Sequence, residues 1–137
     1  MSCKSALYAA MQTPTAVAVD GVIPLGSLIR RYGCDLSLNG NAVNIAGGNQ
    51  SAGYYDVDAS VTVTPIAAGT VTITLYKDGV AVPGATASET AAANGTVDLS
   101  IPVLVRQVCC AAGSALTLVL TGAAATVNNV ALRMQRI

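Results

Sequence analysis

Two carboxylates, Asp56 and Asp58, and four thiols, Cys3, Cys34, Cys109 and Cys110, have types and spacings that could do chemistry. The carboxylates lie two residues apart in a run that reads as a strand. They therefore share one face at about 7 Å separation. Such a pair could act as general acid and base or supply part of a calcium site. Calcium would need further oxygen ligands from loops, and no other segment offers them. The plainer reading is a pair of solvated strand carboxylates. The chain has no histidine, so neither a Ser-His-Asp nor a Cys-His device can be built. Lys4 and Lys77 are its lysines, and Lys77 sits beside a turn. No catalytic residue, metal-ligand set or cofactor site emerges, and the expectation is a chain that is not an enzyme.

The even number of cysteines permits three pairings. Cys109 and Cys110 are adjacent, and neighbouring cysteines bond each other with strain. The expectation is that Cys34 bonds one of the two, and that Cys3 pins the N-terminal segment through the other. Each closed loop would contribute about 2–4 kcal/mol, useful to a particle that persists outside a cell. A four-thiolate zinc site and four unbonded thiols remain open as alternatives. No C-x-x-C spacing supports zinc.

Composition narrows the class. The 137 residues make one domain. Hydrophobic residues reach 53% and charged residues only 10%, against a norm of about 25% charged. There is no Phe or Trp, so Val, Leu, Ile and Ala must fill the core. The net charge of zero favours association over dispersal. It argues against nucleic acid, which needs a basic face. Arg30-Arg31 is the one basic doublet. No segment reads as a membrane span: the apolar region 101–120 is broken by Arg106 and Gln107 and alternates like a strand. No secretory signal is legible, so a surface role would need another export route, such as phage assembly and lysis.

Residues 1–20 read as a loose arm, with Pro14 and small side chains opposing a helix. From Gly21 the pattern has period two. "GVIPLGSLIRRYG" predicts a first strand, and "DLSLNGNAVNIAGG" two short strands joined at Asn39-Gly40. In "GYYDVDASVTVTP", Tyr55, Val57, Ala59, Val61 and Val63 point one way. Tyr54, Asp56, Asp58, Ser60, Thr62 and Thr64 point the other. Val71, Ile73 and Leu75 repeat the pattern. Asp78-Gly79 supplies the positive φ of a tight hairpin turn. Pro83-Gly84 and Asn94-Gly95 mark further turns. Val97 to Val105, Leu116 to Leu120, and Val130 to Met134 complete the series. A helical turn is possible in "ASETAAANG". About eight to ten short strands with regular turns predict an all-β sandwich or barrel.

The order of "GYYDVDASVTVTP", "GTVTITLYKDGVAVPGA", "VDLSIPVLVRQVCCAAGSALTLVLTG" and "VNNVALRMQRI" resembles the trimeric jelly roll of tumour-necrosis-factor and complement type. The bacterial spore-surface and phage virion version is the nearest in kind. The family's Gly-x-Tyr-x-Val strand corresponds to Gly53, Tyr55 and Val57. Its apolar hairpin corresponds to Leu75, Lys77, Asp78, Gly79, Val82 and Gly84. The chain has Gly113-Ser114 where the family often has Gly-Asp. No collagen-like repeat occurs in residues 1–20, which favours a compact virion component over a spore filament.

The resemblance implies a two-sheet jelly-roll sandwich over residues 21–137, with residues 1–20 as an arm for attachment or trimer contacts. It implies a homotrimer that buries one sheet face at its axis. Burial between copies would contribute about 25 cal/mol per Å² of apolar surface. Tyr54 and Tyr55 are candidates for that axis or for the core, with Val57, Ala59 and Val61 on the same strand. The expected function is a structural protein of a phage virion, decorating the capsid or forming a short head fibre. Its partners would be its own copies and other virion proteins, reached through the arm, without nucleic acid or membrane. The alternatives are a receptor- or carbohydrate-binding tip and a spore- or cell-surface structural protein. Tyr8, Tyr32, Asn39, Asn41, Asn49 and Gln50 are raw material for a glycan site, in no legible arrangement.

Overall fold

The computed structural model describes residues 4–110 and 112–137. Cys3, with its expected bond to one of Cys109 and Cys110, lies outside the described residues. Eleven strands are present among the described residues. They are β1 (Ala6–Met11), β2 (Thr15–Val17), β3 (Ser27–Tyr32), β4 (Leu36–Asn39), β5 (Ala42–Ile45) and β6 (Gly53–Pro65). They continue with β7 (Gly69–Lys77), β8 (Val80–Ala91), β9 (Val97–Gln107), β10 (Ser114–Thr121) and β11 (Ala125–Arg136). A six-stranded sheet has the order β3-β1-β11-β6-β9, with β2 also paired to β11. A five-stranded sheet has the order β4-β5-β10-β7-β8. Every pairing is antiparallel. The two sheets form the expected jelly-roll sandwich.

Alternation dictates which residues fill it. Successive side chains leave opposite faces of a pleat. In β6 the burial follows this rule: Tyr55, Val57, Ala59, Val61 and Val63 are at most 1% exposed. Met134, Leu132 and Val130 of β11 lie opposite Val57, Ala59 and Val61 and are equally buried. The five-stranded sheet answers with Val71, Ile73, Leu75, Leu116, Leu118 and Leu120. Tyr55 is the one aromatic ring in this core; valine, isoleucine and leucine fill most of the rest, with alanines, Met11 and Met134.

The N-terminal segment differs from the expected loose arm. Residues 6–11 and 15–17 are strands β1 and β2, laid end to end along β11 and separated at Gln12–Pro14. The reason is long-range. Leu7, Ala9 and Met11 register opposite Met134, Leu132 and Val130 and are buried with them. A weak local signal yields to a ready sheet edge. The strand expected from Gly21 starts only at Ser27, because Pro24 has no N–H to offer a ladder. Gly33 has φ +86°, and a Cβ there would meet the Lys4 carbonyl oxygen at 2.2 Å. Only glycine lets the chain leave β3 so close to β1.

The β7–β8 turn is as expected, while the β4–β5 turn falls on Gly40-Asn41, one residue later than expected, because Asn39 pairs with Ala42. Asp78 (φ 53°) and Gly79 (φ 82°) join β7 to β8. Asp78 also binds Ala115 of β10 through its backbone N–H and its carboxylate, both at 2.9 Å. Pro83-Gly84 does not end β8 but bulges it: Thr74 pairs with Thr86 while Tyr76 pairs with Ala81. "ASETAAANG" contains no helix, since Glu89, Thr90 and Ala91 pair with Val71, Thr70 and Gly69. Pro102 is tolerated within β9 because β9 is the sheet edge.

Candidate functional site

Three groupings of chemically interesting side chains exist: a buried ionic clamp, an outer sheet face, and a pair of thiols. The clamp sits at one end of the sandwich. Asp35, just before β4, is 3% exposed. Its carboxylate accepts hydrogen bonds from Arg136 Nη1 (2.8 Å), Ser5 Oγ (3.0 Å) and Ser51 Oγ (2.9 Å). Arg136 closes β11 and also donates to the carbonyls of Gln50 and Ala52. Its guanidinium lies 6.0 Å from the centre of the Tyr55 ring, and the Tyr55 hydroxyl donates to the Ser51 carbonyl at 2.7 Å. One ion pair thus ties together the N-terminal strand, the approach to β4, the loop before β6 and the last strand.

The electrostatics follow from that geometry. Burial alone pushes the Asp35 carboxyl up, but hydrogen bonds from Ser51, Arg136 and Ser5, with the Arg136 charge, outweigh it. The group is held below its ordinary value of 3.8. Burial, then the Asp35 charge, push the Tyr55 phenol up to about 12.

The outer face of the six-stranded sheet carries the carboxylate pair. Asp56 and Asp58 do share one face. Arg133 of β11 lies between them, its Nη2 3.5 Å from an oxygen of each. All three are well exposed, so each pair contributes at most about 1 kcal/mol. Among the described residues no group of three or more His, Cys, Asp or Glu could hold a metal ion. The tyrosine pair divides: Tyr55 is fully buried, whereas Tyr54 is 48% exposed and faces outward opposite Arg106. Leu104, 54% exposed, lies opposite Asp56. Ile137 bonds its N–H to the Tyr54 carbonyl. Val57, Ala59 and Val61 belong to the core and not to this face.

The two sheets present different outsides. Among the described residues, the exposed large apolar side chains within strands are Tyr8, Leu28, Ile29, Tyr32, Tyr54 and Leu104 on the six-stranded sheet. The five-stranded sheet has only Val80. Its outside carries cross-strand hydroxyl pairs, Thr70–Thr90, Thr72–Ser88 and Thr74–Thr86, at 2.8–3.1 Å. Those hydroxyls satisfy each other.

Of the candidate glycan residues, Tyr8 and Tyr32 meet in one open groove with Arg30, Arg31 and Arg133. Asn39 ends β4 and Asn41 lies in the β4–β5 turn. Asn49 and Gln50 lie in the loop that accepts from Arg136. The structure therefore assembles no single site from these six. Of the thiols, the Cys34 Sγ lies 3.8 Å from Asp35 Oδ1. Cys109 and Cys110 face one another, their sulfurs 2.7 Å apart, and neither is bonded to Cys34.

Asp35, Arg136, Ser5 and Ser51 were not singled out by sequence. Ser51, Ser5 and Arg136 lie 16, 30 and 101 residues from Asp35 along the chain, and nothing local marks them.

These features define a protein class: an all-β jelly-roll sandwich of tumour-necrosis-factor type. Particular solved structures share it. Murine APRIL matches with a TM-score of 0.73 at 12% identity, over 98% of this chain and 99% of that one. PRD1 vertex protein P5 matches at 0.66 and 14% identity, over 100% and 99%. The globular domain of zebrafish complement 1qA matches at 0.62 and 5%, over 96% and 94%. At these identities the likeness is one of fold. No protein-family model and no curated protein sequence matches the chain.

Proposed function

We propose that the protein is a non-enzymatic structural component of a phage virion that assembles as a homotrimer through the outer face of its six-stranded sheet. The asymmetry between the two outer faces carries this reading. One face satisfies its own hydroxyls, while the other leaves Tyr54, Leu104 and Tyr8 in water. Exposed apolar side chains gathered on one face, here around the Arg133–Asp56–Asp58 cluster, mark an association site. The TNF-type fold supports the threefold arrangement, and the vertex protein among the fold relatives supports the virion setting. Contact with other virion proteins would run through the open edge presented by β2 and β3.

Two experiments test it. Sedimentation equilibrium should give a mass near three times 13.7 kDa; a monodisperse monomer would refute the assembly. Mass spectrometry and antibody labelling of purified phage particles should find the chain on the surface. Its absence from particles would refute the virion role and leave the trimer standing.

A further inference from the structure

The vicinal thiols point to a modification site. In an extended chain two successive side chains would diverge to opposite faces. Here β9 ends at Gln107, and Cys110 adopts the left-handed conformation, φ 66°, which few non-glycine residues take. The turn swings both thiols to one side, with their sulfurs 2.7 Å apart. Both residues are exposed, so a small reagent can reach them. The surrounding loop is held independently of the sulfurs. The Cys110 N–H donates to the Gly48 carbonyl. The Gln107 side chain donates to the Ala112 carbonyl and accepts from Ser114 Oγ at 2.7 Å.

We propose that Cys109 and Cys110 are a reversible thiol–disulfide exchange site, closing to a vicinal disulfide with a low-molecular-weight disulfide as oxidant. One thiolate attacks a sulfur of that reagent, forming a mixed disulfide and expelling one small thiol(ate). The neighbouring thiolate then attacks the protein sulfur of the mixed disulfide and expels the second. Two protein thiols lose two electrons and two protons, and the reagent becomes two thiols. The hydrogen bond with Cys110 pushes the Cys109 thiol up. The ring would close without the backbone having to bring distant segments together. This differs from the Cys34 linkage expected from sequence.

The protein's own cleavage sites separate the outcomes. Trypsin cutting at Arg31, Lys77, Arg106 and Arg133 places Cys34 in residues 32–77 and both vicinal cysteines in residues 107–133. After treatment with oxidised glutathione, the 107–133 peptide should be about 2 Da lighter, uncrosslinked, and restored by reductant. C34S should behave identically. C109S should instead retain one glutathione on Cys110, because no neighbour is left to expel it. A 32–77/107–133 crosslink, a stable glutathione adduct on the wild type, or an unchanged 107–133 peptide would each overturn the proposal.

Discussion

Replacing Arg136 by Met removes the guanidinium and keeps a stem of similar shape. The Asp35 carboxylate, buried in the wild type, would keep the Ser5 and Ser51 hydroxyls and the Cys34 thiol as side-chain donors. The Gln50 and Ala52 carbonyls would lose a donor as well. Removing one partner of a buried ion pair costs about 3–5 kcal/mol, mostly as the penalty of the abandoned charge. For a domain of this size that lowers the melting temperature by about 10–20 °C. Urea unfolding should be compared at one fixed protein concentration, because assembly couples stability to concentration. The slope against denaturant should not change, since the same surface is exposed on unfolding. The double variant Asp35→Asn with Arg136→Met removes both charges and should recover part of the loss, a positive coupling of about 1 kcal/mol or more. A single-variant loss below about 1 kcal/mol, the range of a solvated surface pair, would refute the clamp. So would a double variant no more stable than R136M.

The same clamp makes acid behaviour specific. The folded-state Asp35 value lies below 3.8, so the unfolded chain takes up the proton first as pH falls. Its contribution is complete above the ordinary carboxyl range and is lost as pH drops through the lowered value. The stability advantage of wild type over D35N, read from urea midpoints, should therefore shrink in strong acid and stay level near neutrality. Tyr55 acts in the opposite direction. Its value is raised from 10.0 to about 12, so stability present below pH 10 falls as pH rises towards 12. Tyr55→Phe should flatten that alkaline loss while costing about 1 kcal/mol at neutral pH for the bond to Ser51. The proposed assembly face separates from the core by two substitutions. Leu104→Asp should yield a folded monomer by circular dichroism and sedimentation. Val57→Asp should unfold the protomer itself, because the charge would be buried without a partner. Arg133→Ala should change stability by less than about 1 kcal/mol, as befits an exposed pair.

What was legible in the sequence is what alternation and turn residues encode locally. Strand β6, the β7–β8 hairpin at Asp78-Gly79 and the shared side of Tyr55, Val57, Ala59 and Val61 needed no information beyond their own neighbours. What was illegible depended on partners far along the chain. Strand β1 contains "LYAAM", with alanines that declare nothing until Met134, Leu132 and Val130 lie opposite. The Asp35–Arg136 pair joins residues 101 apart. Pro83-Gly84 reads locally as a turn, yet the pairing of β7 with β8 on both sides converts it to a bulge. Alternation also divides each strand into two faces without saying which faces a second sheet and which faces a second molecule. That is why Tyr54 and Tyr55 could be separated from each other by sequence but not assigned.

The clamp and the outer face are two products of one alternating pattern. Neighbouring residues along the same strands serve opposite sides: Tyr54 and Tyr55, Leu104 and Val105, Arg133 and Met134. The buried member of each pair fixes the height and tilt of its exposed neighbour, since a close-packed interior leaves little room for a strand to shift. Arg136 does this at the end of β11. Held by Asp35 and two carbonyls, it keeps the last strand paired as far as the Ile137–Tyr54 hydrogen bond, at the rim of the apolar face. A face built this way is as rigid as the core beneath it. A surface of rigid strands, rather than adaptable loops, suits docking against identical copies, because a preorganised face loses less conformational entropy on association. Loosening the clamp should therefore weaken assembly as well as folding, and R136M should dissociate at a higher protein concentration than wild type under conditions where both remain folded.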